Sequence, residues 1–197
     1  KTLRPEHRCR ELIRTRFERE ALATARVHHP NVVKVITVGT HRGAPYLVME
    51  FLSGRDLERR IEEGGPMPIR EALSLLMPVF AAVQEAHDLG LIHRDLKPAN
   101  IMLEQWRDGR VRPVVVDFGI ARMIETPTAH RLTHGLLGTP AYMAPEQTRG
   151  ERRLDASLDQ YALGAIVYEC LAGVPAFQGE SVYELLARVS AGSFTPL

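Results

Sequence analysis

The stretch Ile92-His93-Arg94-Asp95-Leu96-Lys97-Pro98-Ala99-Asn100-Ile101 sets charged and amide side chains between two short apolar segments, Leu89 to Ile92 and Ile101 to Leu103. Both segments read as strands. A charge buried in an apolar interior is costly unless it is paired, so polar residues framed by buried strands point to a site. A further strand, Val114 to Val116, ends at Asp117 and brings another carboxylate to a strand end.

Upstream, Ile69, Leu73, Leu76, Phe80, Val83 and His87 recur at steps of four and three, which predicts one apolar face of a helix of about five turns. Pro78 lies inside it and is expected to remove one backbone bond and kink it. Before that, Ser53-Gly54-Arg55-Asp56 has the form of a capping box for a short helix through Ile61, stopped by Gly64-Gly65-Pro66. Val32 to Val38 and Pro45 to Phe51 read as two strands joined across Gly39 to Ala44. Glu6 to Val27 carries an apolar stripe at Ile13, Phe17 and Ala21, and Glu20 sits beside that stripe, where a carboxylate calls for a cation partner.

Downstream, Ile120 to Met143 has no periodicity, as in segments that are functional or mobile. Ser157-Leu158-Asp159-Gln160 reads as a capping box for a helix to Cys170, apolar nearly all round and therefore central, and Ser181 opens a last helix in the same way.

Composition narrows the classes. Hydrophobic residues are 45% and Asp, Glu, Lys and Arg 25% of 197 residues, ordinary globular usage that excludes disordered, collagen-like and coiled-coil chains. A net charge of +1 supplies no field for nucleic acid or an anionic membrane, so neither is expected as a partner. The longest apolar run, Tyr161 to Gly173, carries Glu169 and is short of the roughly 20 residues a bilayer span needs. Cys9 and Cys170 allow at most one disulfide and form no metal-binding spacing, which suits a reducing, cytoplasmic compartment; an anchor outside this segment is compatible with that. The chain opens on Lys1 with no secretory pattern, so the translation start is expected to lie upstream.

His93-Arg94-Asp95-Leu96-Lys97-Pro98-Ala99-Asn100, then Asp117-Phe118-Gly119, then Ala144-Pro145-Glu146 resembles the eukaryotic-like (Hanks-type) protein kinase family. Each motif alone is weak, but the three stand in the family's order with Asp95 and Asn100 five apart. His29-Pro30-Asn31-Val32-Val33, Ile92 to Leu103 and Gly138 to Gln147 are most similar to bacterial Ser/Thr members. The resemblance implies an α+β, kinase-like bilobal fold: residues 1–52 as a truncated, β-rich small lobe and residues 53–197 as a mostly helical large lobe.

It also implies roles. Asp95 would take or orient the substrate hydroxyl proton and Lys97 would neutralise the transferring phosphoryl group, with Asn100 and Asp117 as ligands of Mg2+. ATP would be held by Lys1 paired with Glu20, by the hinge backbone at Glu50 and Leu52, and by Met49 as gatekeeper and Met102 as floor, although methionine is also a common core filler. Asp56 matches a ribose contact and also suits a helix first turn. Thr139 would bridge Asp95 and Lys97 in the peptide-binding loop. Arg94 would pair with a phosphorylated Thr133, with Thr126 and Thr128 as weaker candidates. His93 and Phe118 resemble an internal spine with Val35 and Thr24, anchored by Asp159, and Thr24 is a polar departure there.

Lys97 implies protein substrates with Ser or Thr acceptors, the protein itself included, while the oligomeric state is open. The Gly-rich loop expected before Lys1 and an arginine partner for Glu146 have no counterpart, so this segment alone is expected to be weakly active or inactive. A pseudokinase-like binding scaffold without turnover is the alternative, set against the presence of Asp95, Asn100 and Asp117.

Overall fold

The computed structural model describes residues 21–22, 24–41, 44–118, 140–149 and 155–197. Two antiparallel strands, β1 (Val35–His41) and β2 (Ala44–Met49), pair from Val35 opposite Met49 to His41 opposite Ala44. The strands reach closer to the turn than the sequence suggests, since the register carries pairing through Gly39–Tyr46 and Thr40–Pro45. Leu47 and Ala21 are buried together, with Val35, Val38 and Met49 packed against them.

A second sheet contains β3 (Gly54–Asp56), β4 (Ile101–Gln105) and β5 (Val111–Val115), all antiparallel in that order. This corrects the expected capping box. Ser53 does not open a helix; Gly54 to Asp56 form a strand, and α1 (Leu57–Gly64) begins afterwards, capped by Asp56 Oδ1 accepting from Arg59 N at 2.8 Å. Gly54 lies against β4 so closely that a Cβ would run into the Leu103 carbonyl.

Helix α2 (Ile69–Asp88) continues through Pro78. Its buried face is Ala72, Leu75, Leu76, Val79, Ala82, Val83 and Ala86, while Ile69 and Leu73 are exposed. The expected stripe is therefore rotated by about one residue's turn, because the small alanines are what allow close approach to the central helix α4 (Ser157–Ala172). Leu89 to Ile92, expected as a strand, has no regular structure. A short α3 (Pro145–Thr148) and a last helix α5 (Val182–Ala191) complete the large layer. Ser181 caps α5 as expected by accepting from Glu184 N at 3.2 Å, whereas α4 starts after Ala156 with no side-chain cap.

The main core joins α1, α2, β4, β5 and α4 around Leu57, Leu76, Val79, Ile101, Val115 and Ile166. Gly173 ends α4 with φ 76°, and a Cβ there would meet the Pro66 ring at 2.7 Å, so the α1–α2 connection is pressed onto the end of α4. Met67 N donates to Cys170 O across the same contact. Cys170 is a free thiol, fully buried, and burial followed by the neighbouring Glu169 carboxylate pushes its pKa up to about 12. Among the described residues no helix is long and apolar enough to cross a membrane.

Candidate active site

A loop between α2 and β4 carries the site. Two non-glycine residues among the described ones have positive φ, Arg94 at 64° and Asp117 at 61°, and they lie on the two chain segments that meet here. Such conformations cost a side-chain-bearing residue about 1–2 kcal/mol and persist only where surrounding contacts hold them. At Arg94 the holder is Asp159 on α4, buried to 1% exposure. Its Oδ1 accepts from Arg94 N at 2.8 Å and its Oδ2 from His93 N at 2.7 Å, with His87 Nε2 also 2.8 Å from Oδ2.

His93 links this anchor to the Asp117 segment. Its Nε2 lies 3.0 Å from Val116 O, and its ring sits 4.8 Å from that of Phe118. Burial lowers the His93 pKa, against the opposing pull of Asp159, the Val116 carbonyl, Asp95 and Asp117, so the ring is held neutral and donates to Val116. The expected pairing of His93 with Phe118 is present. Thr24 is buried, and Val35 belongs to the smaller core.

Asp95 follows at once. Lys97 Nζ is 3.6 Å from its Oδ2, and Asn100 Nδ2 donates to its carbonyl at 2.7 Å and faces Oδ2 at 3.4 Å. A one-turn 3-10 helix, Pro98–Asn100, carries Asn100 round, and Val116 N donates to Asn100 O at 2.9 Å, so Asp117 comes one residue after that link. With its amide N–H committed to Asp95, Asn100 keeps its side-chain oxygen for another partner, and the Val116 link brings the Asp117 backbone to the same segment. One carboxylate and one amide oxygen suit a hard cation that keeps water and phosphate oxygens as its other ligands, so these residues fit Mg2+. No cluster of three or more His, Cys, Asp or Glu capable of holding a metal occurs among the described residues.

The segment 49–52 connects the two sheets. Met49 and Leu52 are half-buried, Met102 pairs with Asp56 and Val114 in the second sheet, and the Asp56 carboxylate serves as the α1 cap. Glu146 on α3 is reached by Ser157 Oγ at 3.5 Å. Lys1, Glu20, Thr126, Thr128, Thr133 and Thr139 lie outside the described residues.

Three groups were not legible beforehand. Tyr142 donates its hydroxyl to Glu169 Oε2 at 2.7 Å in the interior, and burial raises the pKa of both. His87 reaches Asp159, although periodicity made it look like part of an apolar face. Arg112 touches Glu104, Glu50 and Pro30. Apart from Arg112–Glu104, which lie opposite each other across β4 and β5, these pairings join residues far apart in sequence, where no local spacing signals them.

The protein kinase domain family matches residues 1–192. A probable serine/threonine-protein kinase of Corynebacterium efficiens is 42% identical over 175 residues, 86% of this chain and 26% of that protein. Serine/threonine-protein kinase PknB of Mycobacterium leprae is 41% identical over 170 residues, 84% of this chain and 26% of that protein. The chain thus spans about a quarter of the length of these relatives. The crystal structure of Rad53 residues 1–466 in complex with AMP-PNP is similar, with a TM-score of 0.74 at 29% identity, covering 91% of this chain and 44% of that one. The kinase domain of Mycobacterium tuberculosis PknI, as a double mutant, gives 0.71 at 30% identity over 90% of this chain and 65% of that one.

Proposed function

Since the chain belongs to the protein kinase domain family, we propose that it is the catalytic region of a Ser/Thr protein kinase, transferring the γ-phosphoryl group of ATP to Ser or Thr hydroxyls of proteins. The observation that carries this reading is Asp95, its carboxylate 3.6 Å from Lys97 Nζ and its backbone carbonyl accepting from Asn100 Nδ2 at 2.7 Å. Asp95 accepts the acceptor hydroxyl's proton as its oxygen bonds to the γ phosphorus and the bond to the bridging oxygen breaks, leaving ADP. Lys97 balances charge on the transferring group. Asn100 and Asp117 hold Mg2+, which neutralises phosphate charge when bound.

Adenine rests on the backbone of Glu50 and Leu52, with Met49 and Met102 as apolar walls. Residues 1–52 form the smaller lobe and 53–197 the larger. Lys1 with Glu20 holds phosphates, Thr139 bridges Asp95 and Lys97, and phosphorylated Thr133 pairs with Arg94 to order the loop. The likeness to kinases named as Ser/Thr-specific supports protein substrates, and the use of ATP supports the cytoplasm. The test compares the full-length protein with Asp95→Asn in phosphate transfer from radiolabelled ATP to a protein acceptor. The variant is expected to lose about 10²- to 10⁴-fold in rate while still binding nucleotide. Equal incorporation by the two would refute the assignment.

A further inference from the structure

The chain passes between the two sheets twice, at residues 33–34 and 50–53, and one guanidinium reaches the segment leading into the first passage, at Pro30, and the second passage, at Glu50. Arg112, on β5, donates from Nη1 to Pro30 O at 2.7 Å and from Nη2 to Glu50 Oε2 at 3.4 Å. Its Nε donates to Glu104 Oε2 on β4 at 2.8 Å. Glu50 in turn fastens the two passages to each other: its Oε1 accepts from Lys34 N at 2.9 Å, and its own amide donates to Lys34 O at 2.9 Å. Glu104 is further braced by Trp106 Nε1 at 2.7 Å.

These groups are not a loose surface pair. The side chains of Arg112, Glu50 and Glu104 retain 22%, 27% and 15% exposure. Arginine's rigid fork spreads its donors over three nitrogens and so reaches three acceptors set well apart, whereas a lysine's three donors all sit on one nitrogen. The first passage is independently bound to β5, because Val33 N donates to Val115 O at 3.0 Å, Val115 N to Asn31 O at 2.8 Å and Asn31 Nδ2 to Pro113 O at 2.7 Å. Residues 31–33 therefore stay with the second sheet, and rotation of β1 and β2 away from it must pivot beyond Val33. That rotation pulls directly on the Glu50 carboxylate.

We propose that Glu50, Arg112 and Glu104 form a strut behind the hinge, with Arg112 a positioning residue that holds the Glu50–Leu52 backbone in place and slows opening of the nucleotide cleft. The proposal rests on the nucleotide-binding reading for its consequence, but the strut itself is a property of the hinge. Two readouts on the full-length protein separate these. Amide hydrogen exchange at Lys34, Glu50 and Val115 reports the strut without any nucleotide, and release of a fluorescent N-methylanthraniloyl ADP reports the cleft.

A hydrogen bond to a charged group is stronger than a neutral one, but partial exposure weakens it. With tenfold for each 1.4 kcal/mol, Arg112→Ala is expected to speed Lys34 exchange and ADP release about three- to tenfold, with Val115 exchange changed less than about twofold. KM for ATP rises, while single-turnover transfer at saturating ATP stays within about twofold. Arg112→Lys, whose single nitrogen cannot reach Pro30, Glu50 and Glu104 together, restores part of each effect. Lys34 exchange and ADP release unchanged in Arg112→Ala would overturn the strut, as would Lys34 and Val115 exchange rising together, which is plain destabilisation. Failure of the wild-type protein to take up the ADP probe would instead strike the kinase reading, and the exchange comparison would still decide the strut.

Discussion

Asp159 holds Arg94 in a left-handed backbone conformation: the amide of a residue with φ 64° donates to a buried carboxylate 2.8 Å away. The same carboxylate takes the neighbouring His93 amide, so the strain that turns the chain toward Asp95 is offset by two charge-assisted bonds. Asp159→Asn replaces one of those acceptor oxygens with a donor that repels an amide N–H. The loss of about 1.5–3 kcal/mol is expected to lower the thermal midpoint by about 3–10 °C, with kcat falling more than about tenfold because Asp95 is no longer aimed. Calorimetry beside steady-state assays checks both; an unmoved midpoint would mean the strain is held elsewhere.

On the proposed function, Asn100→Ala removes an oxygen that would ligate the cation, together with the 2.7 Å bond to the Asp95 carbonyl. The Mg2+ concentration for half-maximal transfer should rise about tenfold or more, as loss of ligands and their supports typically weakens metal binding by 10- to 100-fold. A titration of activity against Mg2+ that superimposes on the wild type would remove Asn100 from the ligand set.

Glu169 bears on stability at neutral and alkaline pH. Its pKa is raised from 4.5 by burial, an effect that the Tyr142 hydroxyl opposes and the Glu58 and Glu62 carboxylates reinforce. A carboxyl whose folded pKa lies above its unfolded value contributes fully below the unfolded value and loses that contribution as pH rises through the folded one. Glu169→Gln keeps an oxygen for Tyr142 and has no charge to desolvate. Its thermal midpoint should therefore match the wild type near pH 4.5 and exceed it at pH 8; the opposite order would show that the anion is favoured there.

His93 acts at the acid end. Burial depresses its pKa from 6.5, so the unfolded chain binds a proton that the folded one refuses, and stability falls as pH drops below about 6.5. His93→Gln, which retains a donor for the Val116 carbonyl, should flatten the pH dependence of stability by up to one proton, about 1.4 kcal/mol per pH unit, between pH 6.5 and 5. Denaturant titrations at a series of pH values measure that slope.

The site was legible where chemistry is local. His93 to Asn100 and Asp117 stand out because charged side chains between apolar segments need a reason to be there, and the structure brings them together. The helix from Ile69 was legible in extent but not in facing, since its apolar residues admit two adjacent registers and only packing of Ala72, Ala82 and Ala86 chooses between them. Asp56 displaced Ser53 as the cap because Gly54 is drawn into a strand by Glu104, fifty residues away in sequence. Arg112 with Glu50, and Tyr142 with Glu169, depend on the fold having already formed, and no spacing within a helix or strand encodes them.

The buried thiol of Cys170 gives the domain an internal witness to its own opening. With a pKa near 12 and no exposed surface, it is shut off from alkylating reagents as long as α4 stays packed. Its position under the Pro66–Gly173 contact means that fluctuations of the catalytic loop alone leave it covered. The rate at which Cys170 becomes alkylated therefore reads the parting of the helical core, separately from motions of the cleft.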